Sequence, residues 1–88
     1  MEHAGPEPID ARGFECPMPL LMAKRALNAL EPGDRIVVLA TDEGAPRDFE
    51  VFARQSGHSL LSVERSGDEI HLLVEKAPAQ PAGSSETV

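Results

Sequence analysis

The stretch Arg35–Ala40, Arg-Ile-Val-Val-Leu-Ala, constrains the fold more than any other part of the chain. It has the length of a strand, and its two alternating sets of side chains are both apolar. A central strand of a sheet has that pattern. The segment before it predicts a helix over 17–31. On a 3.6-residue period Leu20, Ala23, Ala26, Leu27 and Leu30 share one arc, and Lys24, Arg25, Asn28 and Glu31 share the opposite one. Pro32-Gly33 stops that helix.

The remaining elements follow from similar signals. Ile9-Asp10-Ala11 is a short strand, broken by Gly13. After a loop over 41–45, Pro46 opens a second helix running to Ser56, with Phe49, Phe52 and Ala53 on one face and Gly57 as its stop. Strands over 60–65 and 69–76 are joined by Ser66-Gly67-Asp68, a hairpin signal. In the last strand Ile70, Leu72 and Val74 alternate with Glu69, His71 and Glu75, which gives one dry face and one wet face. The order is β-α-β-α-β-β. Its economical form is an α+β two-layer sandwich, with two helices on one face of a four-stranded mixed sheet. Val37, Leu39 and Leu73 then fall on the open face, where a dimer or partner contact is one way to cover them.

With 88 residues there is room for one domain, expected over 9–76, between a loose leader over 1–8 and a proline-bearing polar tail over 77–88. The net charge of −7 and an aromatic content of 3% argue against stable nucleic-acid binding, which needs clustered cations and stacking rings. The same charge argues against binding an anionic membrane surface. It favours protein partners with a basic face. No basic stretch followed by an apolar run opens the sequence, and no apolar run approaches the roughly 20 residues that span a bilayer. A single cysteine excludes an internal disulfide and intrachain dithiol chemistry. A reducing, cytoplasmic setting is the default expectation.

That cysteine is the centre of the most informative stretch, Arg12-Gly13-Phe14-Glu15-Cys16-Pro17-Met18-Pro19. Cys16 stands at the start of the first helix, where unpaired N–H groups and the helix dipole favour an anion. Such a position predicts a thiol that titrates below its ordinary value of about 8.5. A thiolate is the form that attacks another sulfur, and the same N–H groups would suit a persulfide anion. Pro17 and Pro19 restrict φ and stiffen the first turn, while Gly13 leaves backbone room before it. Glu15 opposes the thiolate by like charge, and Arg12 is placed to offset it. The alternative is a buried, inert cysteine.

Ile9-Asp10-Ala11-Arg12-Gly13-Phe14-Glu15-Cys16-Pro17-Met18-Pro19 resembles the opening signature of the TusA (SirA-like) family, in which a Leu/Ile-Asp pair and a Gly precede Cys-Pro-x-Pro. Leu20-Leu21, the Lys24-Arg25-Ala26-Leu27 region and Pro32-Gly33 resemble the family too, so the similarity spans about residues 9–76. The resemblance implies the two-layer β-α-β-α-β-β fold and a sulfur carrier that loads persulfide sulfur on Cys16. Such a carrier is itself changed in each cycle and acts with partner enzymes. Implied donors are a cysteine desulfurase or a rhodanese-like protein, and an implied acceptor is a DsrE-like protein. Implied destinations are tRNA thiolation, molybdenum cofactor synthesis and sulfur oxidation. The chain departs from many relatives after the second strand. Asp42-Glu43-Gly44-Ala45-Pro46 replaces an Asp-Pro-Ala-type loop, although Asp42 and Asp48 match.

Two other functions fit parts of the sequence. One is an interaction or regulatory module in which Cys-Pro-x-Pro only shapes the helix start. The other is a Cu(I)-binding chaperone using Cys16, Met18 and Met22, three soft sulfur atoms close in sequence. His3, His58 and His71 share no metal-ligand spacing with Cys16, so no metal site and no cofactor are assigned. Arg12, Lys24 and Arg25 form a basic group suited to docking a partner or supporting the thiolate, or simply a solvated face. A monomer or weak homodimer is expected.

Overall fold

In the computed structural model, which describes residues 8–78, the elements follow the expected order. They are β1 (Pro8–Ala11), α1 (Met18–Asn28), β2 (Arg35–Ala40), α2 (Ala45–Ser56), β3 (Ser59–Ser66) and β4 (Glu69–Glu75). The strands form one sheet in the order β1-β2-β4-β3. β2 is central, as its composition requires. It pairs parallel with β1, with Ala11 opposite Ala40, and antiparallel with β4, with Val38 opposite Leu72.

The alternation of side chains sorts the sheet into two faces. Ile36, Val38 and Ala40 of β2 and Ile70, Leu72 and Val74 of β4 are buried beneath the helices. From above, α1 adds Pro19, Ala23 and Leu27, and α2 adds Ala45 and Phe49. Val37, Leu39, His71 and Leu73 take the opposite face and are only half-buried, so β2 is dry on one side and partly wet on the other.

Several element ends differ from the sequence expectation, most by one residue. The first helix starts at Met18 with Pro17 as its cap, and it ends at Asn28 rather than at 31. Its last turn tightens instead, as Ala29 and Leu30 donate to the carbonyls of Ala26 and Leu27 three residues back. Lys76 Nζ then donates to the Leu30 carbonyl at 2.7 Å, which satisfies one of the free acceptors at that helix end. Pro8, expected in the leader, pairs with Val37, and Ala77, expected in the tail, donates its N–H to His58 Nδ1 at 2.8 Å. Residues 1–7 of the expected leader, including His3, and 79–88 of the expected tail lie outside the described residues.

Glycine is required at the turns that end α2 and join β3 to β4. Gly57 ends α2 in the left-handed region, with φ of 89°, and its N–H donates to the Ala53 carbonyl at 3.0 Å. Gly67 turns the β3–β4 hairpin at φ of 62°, and no residue other than glycine has a positive φ among those described. A glycine first in a two-residue loop is what a type II′ turn requires. In β3 the register slips between Leu60 and Ser62, which leaves Leu61 exposed.

Phe49 and Leu27 are the largest fully buried side chains, so they anchor the two helices to the sheet. Phe49→Ala should destabilise the fold by about 3–5 kcal/mol. Leu61→Ala, on the exposed bulge, should change it by less than about 0.5 kcal/mol. Urea unfolding of the two variants beside the wild type measures both.

Candidate functional site

Parallel pairing of β1 and β2 places the carboxyl ends of both strands side by side. The chain leaving β1 runs into the loop before α1, and the chain leaving β2 runs into the loop before α2. Two hydrogen bonds tie these loops together. The Gly13 N–H donates to Thr41 Oγ1 at 2.9 Å, and the Cys16 N–H donates to Asp42 Oδ2 at 2.8 Å. Gly13 sits at φ of 84°, and Phe14 closes the turn by donating to the Ala11 carbonyl at 3.2 Å.

Cys16 is half-buried, the free thiol at the meeting point of the two loops. The Cys16–Pro17 peptide bond is cis. Pro17 caps α1, and its carbonyl accepts the Leu21 N–H at 3.0 Å. Pro19 is buried in the first turn and locks that turn onto the core. Behind the thiol is Gly44, the N-cap of α2. A β-carbon at Gly44 would stand 3.2 Å from Cys16 Sγ and 3.6 Å from Asp42 Oδ2. The sulfur therefore occupies space that any other residue at 44 would contest.

The electrostatics reverse the sequence expectation. The thiol is not lowered by its helix start; it is pushed up to about 12. Asp42 and Asp48 are the cause, because both carboxylates favour the protonated, hydrogen-bond-donating form, with partial burial adding to the effect. Asp42 itself is held below the usual carboxylate range by the Cys16 thiol and by the Cys16 and Gly44 N–H groups. Asp48 stands in the first turn of α2, where its charge answers that helix's dipole. The positive end of α2 is thus met by Asp48, whereas the first turn of α1 carries no acidic residue.

The expected basic group does not assemble at the sulfur. Arg12 points to the neighbouring strands, donating to Asp10 Oδ1 at 2.8 Å and to Glu69 Oε2 at 2.9 Å, with His71 Nε2 on the other Glu69 oxygen at 3.1 Å. Lys24 lies over the Phe52 ring, 5.4 Å from its centroid. Arg25 is exposed in the last turn of α1. Of the sulfur atoms considered for copper, Met18 is exposed while Met22 packs against the core. Among the described residues no group of three His, Cys, Asp or Glu side chains is arranged to hold a metal.

The sequence reading passed over four residues as parts of the site: Thr41, Asp42, Gly44 and Asp48. The available signal was topological. The loop following a strand that lies parallel to β1 must end beside Cys16, so its polar side chains are candidates for contact. Exposed Phe14, Met18 and Leu21 add an apolar surface to the segment that carries the cysteine.

A two-layer sandwich presenting one thiol between a Gly-turn and a Pro-x-Pro helix start defines a class of small cysteine-bearing α+β domains. The sulfurtransferase TusA family matches residues 7–76, and the chain belongs to that family. It is 42% identical to the sulfur carrier protein TusA of Allochromatium vinosum over 69 residues, 78% of this chain and 91% of that one. It is 48% identical to a putative sulfur carrier protein of Neisseria meningitidis, again over 78% of this chain and 93% of the relative. The crystal structure of a SirA-like protein from Desulfitobacterium hafniense superposes with a TM-score of 0.71 at 28% identity, covering 80% of this chain and 96% of that one.

The Arg12 cluster yields a pH prediction. Its guanidinium holds Asp10 down to about 2, against an ordinary value of about 3.9. A lowered carboxylate contributes stability above its unfolded value and loses it as pH falls toward the folded one. The stability difference between wild type and Arg12→Gln should therefore be full at pH 7 and roughly half gone by pH 3. It should also shrink in 1 M salt, since these side chains are exposed. Urea midpoints across that pH range measure it.

Proposed function

We propose that this protein is a sulfur carrier that accepts persulfide sulfur on Cys16 and relays it to a partner protein. The observation that carries this reading is the placement of Cys16. It is the chain's single cysteine, half-buried, and fixed by its own N–H at the junction of two loops in a member of the TusA family. Relatives named as sulfur carriers support it. Gly13, Pro17 and Pro19 shape the site by setting the turn and anchoring the first turn of α1.

Loading balances without a redox cofactor. Cys16 Sγ attacks the outer sulfur of a donor persulfide, R–S–SH. The new Cys16–sulfur bond forms as the donor's S–S bond breaks. The proton lost by Cys16 ends on the donor's leaving thiolate, giving Cys16–S–SH and R–SH. A cysteine desulfurase or a rhodanese-like protein fits the donor's role, and a DsrE-like protein fits the acceptor's. The exposed Phe14, Met18 and Leu21, with Arg25 further along α1, offer these partners a surface close in sequence to the sulfur. The product feeds tRNA thiolation, molybdenum cofactor synthesis or sulfur oxidation. No helix among the described residues is long and apolar enough to cross a membrane, and a reducing cytoplasm suits a free thiol.

Incubation with a cysteine desulfurase and cysteine should add one sulfur atom to the wild type by intact mass. Reductant should remove it, and Cys16→Ser should not acquire it. Absence of the added sulfur with both this donor and a rhodanese-type donor, while Cys16 remains open to alkylation, would instead favour an interaction module.

A further inference from the structure

We propose that Asp42 and Asp48 hold Cys16 as a neutral thiol while the carrier is free, and that a partner's cationic side chain discharges this pair, so that the reactive sulfur arises within the complex. The proposal rests on the sulfur-carrier reading of Cys16 and adds its control.

The geometry leaves little freedom. Asp42 is fixed against the cysteine by the 2.8 Å bond from the Cys16 N–H. Its Oδ2 and Cys16 Sγ converge on the same point at Gly44, within 3.6 Å and 3.2 Å of where a β-carbon would stand. Acidic oxygen and sulfur thus both lie beside the α2 cap, and Asp48 stands in the first turn of that helix. The carboxylates of Asp42 and Asp48 are the charged groups that act on the thiol, and both act to keep its proton in place.

The other charges nearby do not offset them. On the cysteine's own loop, Glu15 is exposed and negative, and Arg12 is committed to Asp10 and Glu69. On the opposing loop, Glu43 pairs with Arg65 at 2.9 Å. On α2, Arg47 is exposed. No cation of the chain is among the groups that act on the thiol, and a chain of net charge −7 attracts partners that carry one. The benefit is specificity. A thiol that stays protonated ignores stray electrophiles, whereas one that meets a Lys or Arg of the donor loses its proton where the transfer takes place.

The test is the pH profile of Cys16 alkylation by iodoacetamide, followed by intact mass on the full chain. No sulfur donor is present, so the outcome is independent of whether Cys16 carries sulfur. In the wild type the rate should still be rising at pH 10, where an ordinary thiol near 8.5 is already mostly thiolate. Asp42→Asn keeps an oxygen acceptor for the Cys16 N–H and removes the charge. Asp48→Asn leaves that bond untouched, and so decides the matter if the first variant fails to fold. Each should move the profile to lower pH, and the double variant should react at least tenfold faster than wild type at pH 8. Tetralysine should accelerate the wild type at pH 8 and leave the double variant unchanged. A wild-type profile that levels off near 8.5, or profiles that coincide across all variants, would overturn the proposal. Failure of tetralysine to accelerate the wild type would remove the cationic partner from it.

Discussion

The hydrogen bond from the Cys16 N–H to Asp42 is the constraint on which the site depends, and it exists only because β1 and β2 run parallel. Parallel strands end at the same edge of a sheet, so the chain segments that follow them emerge together. Ala11 opposite Ala40 sets their level. From that register the Gly13–Thr41 and Cys16–Asp42 bonds follow within a few residues of each strand end. Had the second strand been antiparallel to the first, Asp42 would lie at the far edge, and the cysteine loop would have no fixed partner.

How much of this was legible in the sequence divides along the same line. Elements specified by nearby residues were readable: the apolar strand at 35–40, the arc of Leu20, Ala23 and Leu27, the glycine that stops α2 and the hairpin at Gly67. Each carries its cause within a few positions. The Cys-Pro-x-Pro stretch was readable as a site for the same reason. Its partner loop was not, because Cys16 and Asp42 are 26 residues apart and their meeting is a property of the sheet. The end of α1 was placed too late because the helical pattern of Leu27 and Leu30 continues past Asn28. The last turn instead tightens to bonds three residues back and hands a carbonyl to Lys76 from β4's end. Nothing near residue 30 announces a lysine 46 positions downstream.

The thiol's electrostatics show how a sound local principle is overruled by long-range placement. A helix start does favour an anion. Here two aspartates act on the sulfur from the opposing loop and helix, and their charge outweighs the field of the α1 start. Asp48 complements the dipole of α2, and Asp42 accepts N–H groups of the loops. Asp42 is stabilised by the folded structure, and each carboxylate raises the work of placing a negative charge on the sulfur. The helix start that looks from the sequence like activation of Cys16 is outweighed by the two carboxylates and by partial burial.

This makes structural support and chemical restraint properties of the same carboxylate. An aspartate at 42 organises the loop by accepting a backbone N–H, a task that needs only an oxygen. Its negative charge is not required for that bond, since an asparagine oxygen has the same reach. The charge therefore has a consequence separable from loop geometry, and it falls on the one atom that can exchange sulfur. Gly44 leaves room for that atom beside the acid, where a β-carbon would stand 3.2 Å from the sulfur and 3.6 Å from Asp42 Oδ2. Asp42 thus fixes the Cys16 backbone and favours the proton on its sulfur at once, whereas Asp48 acts on the proton alone.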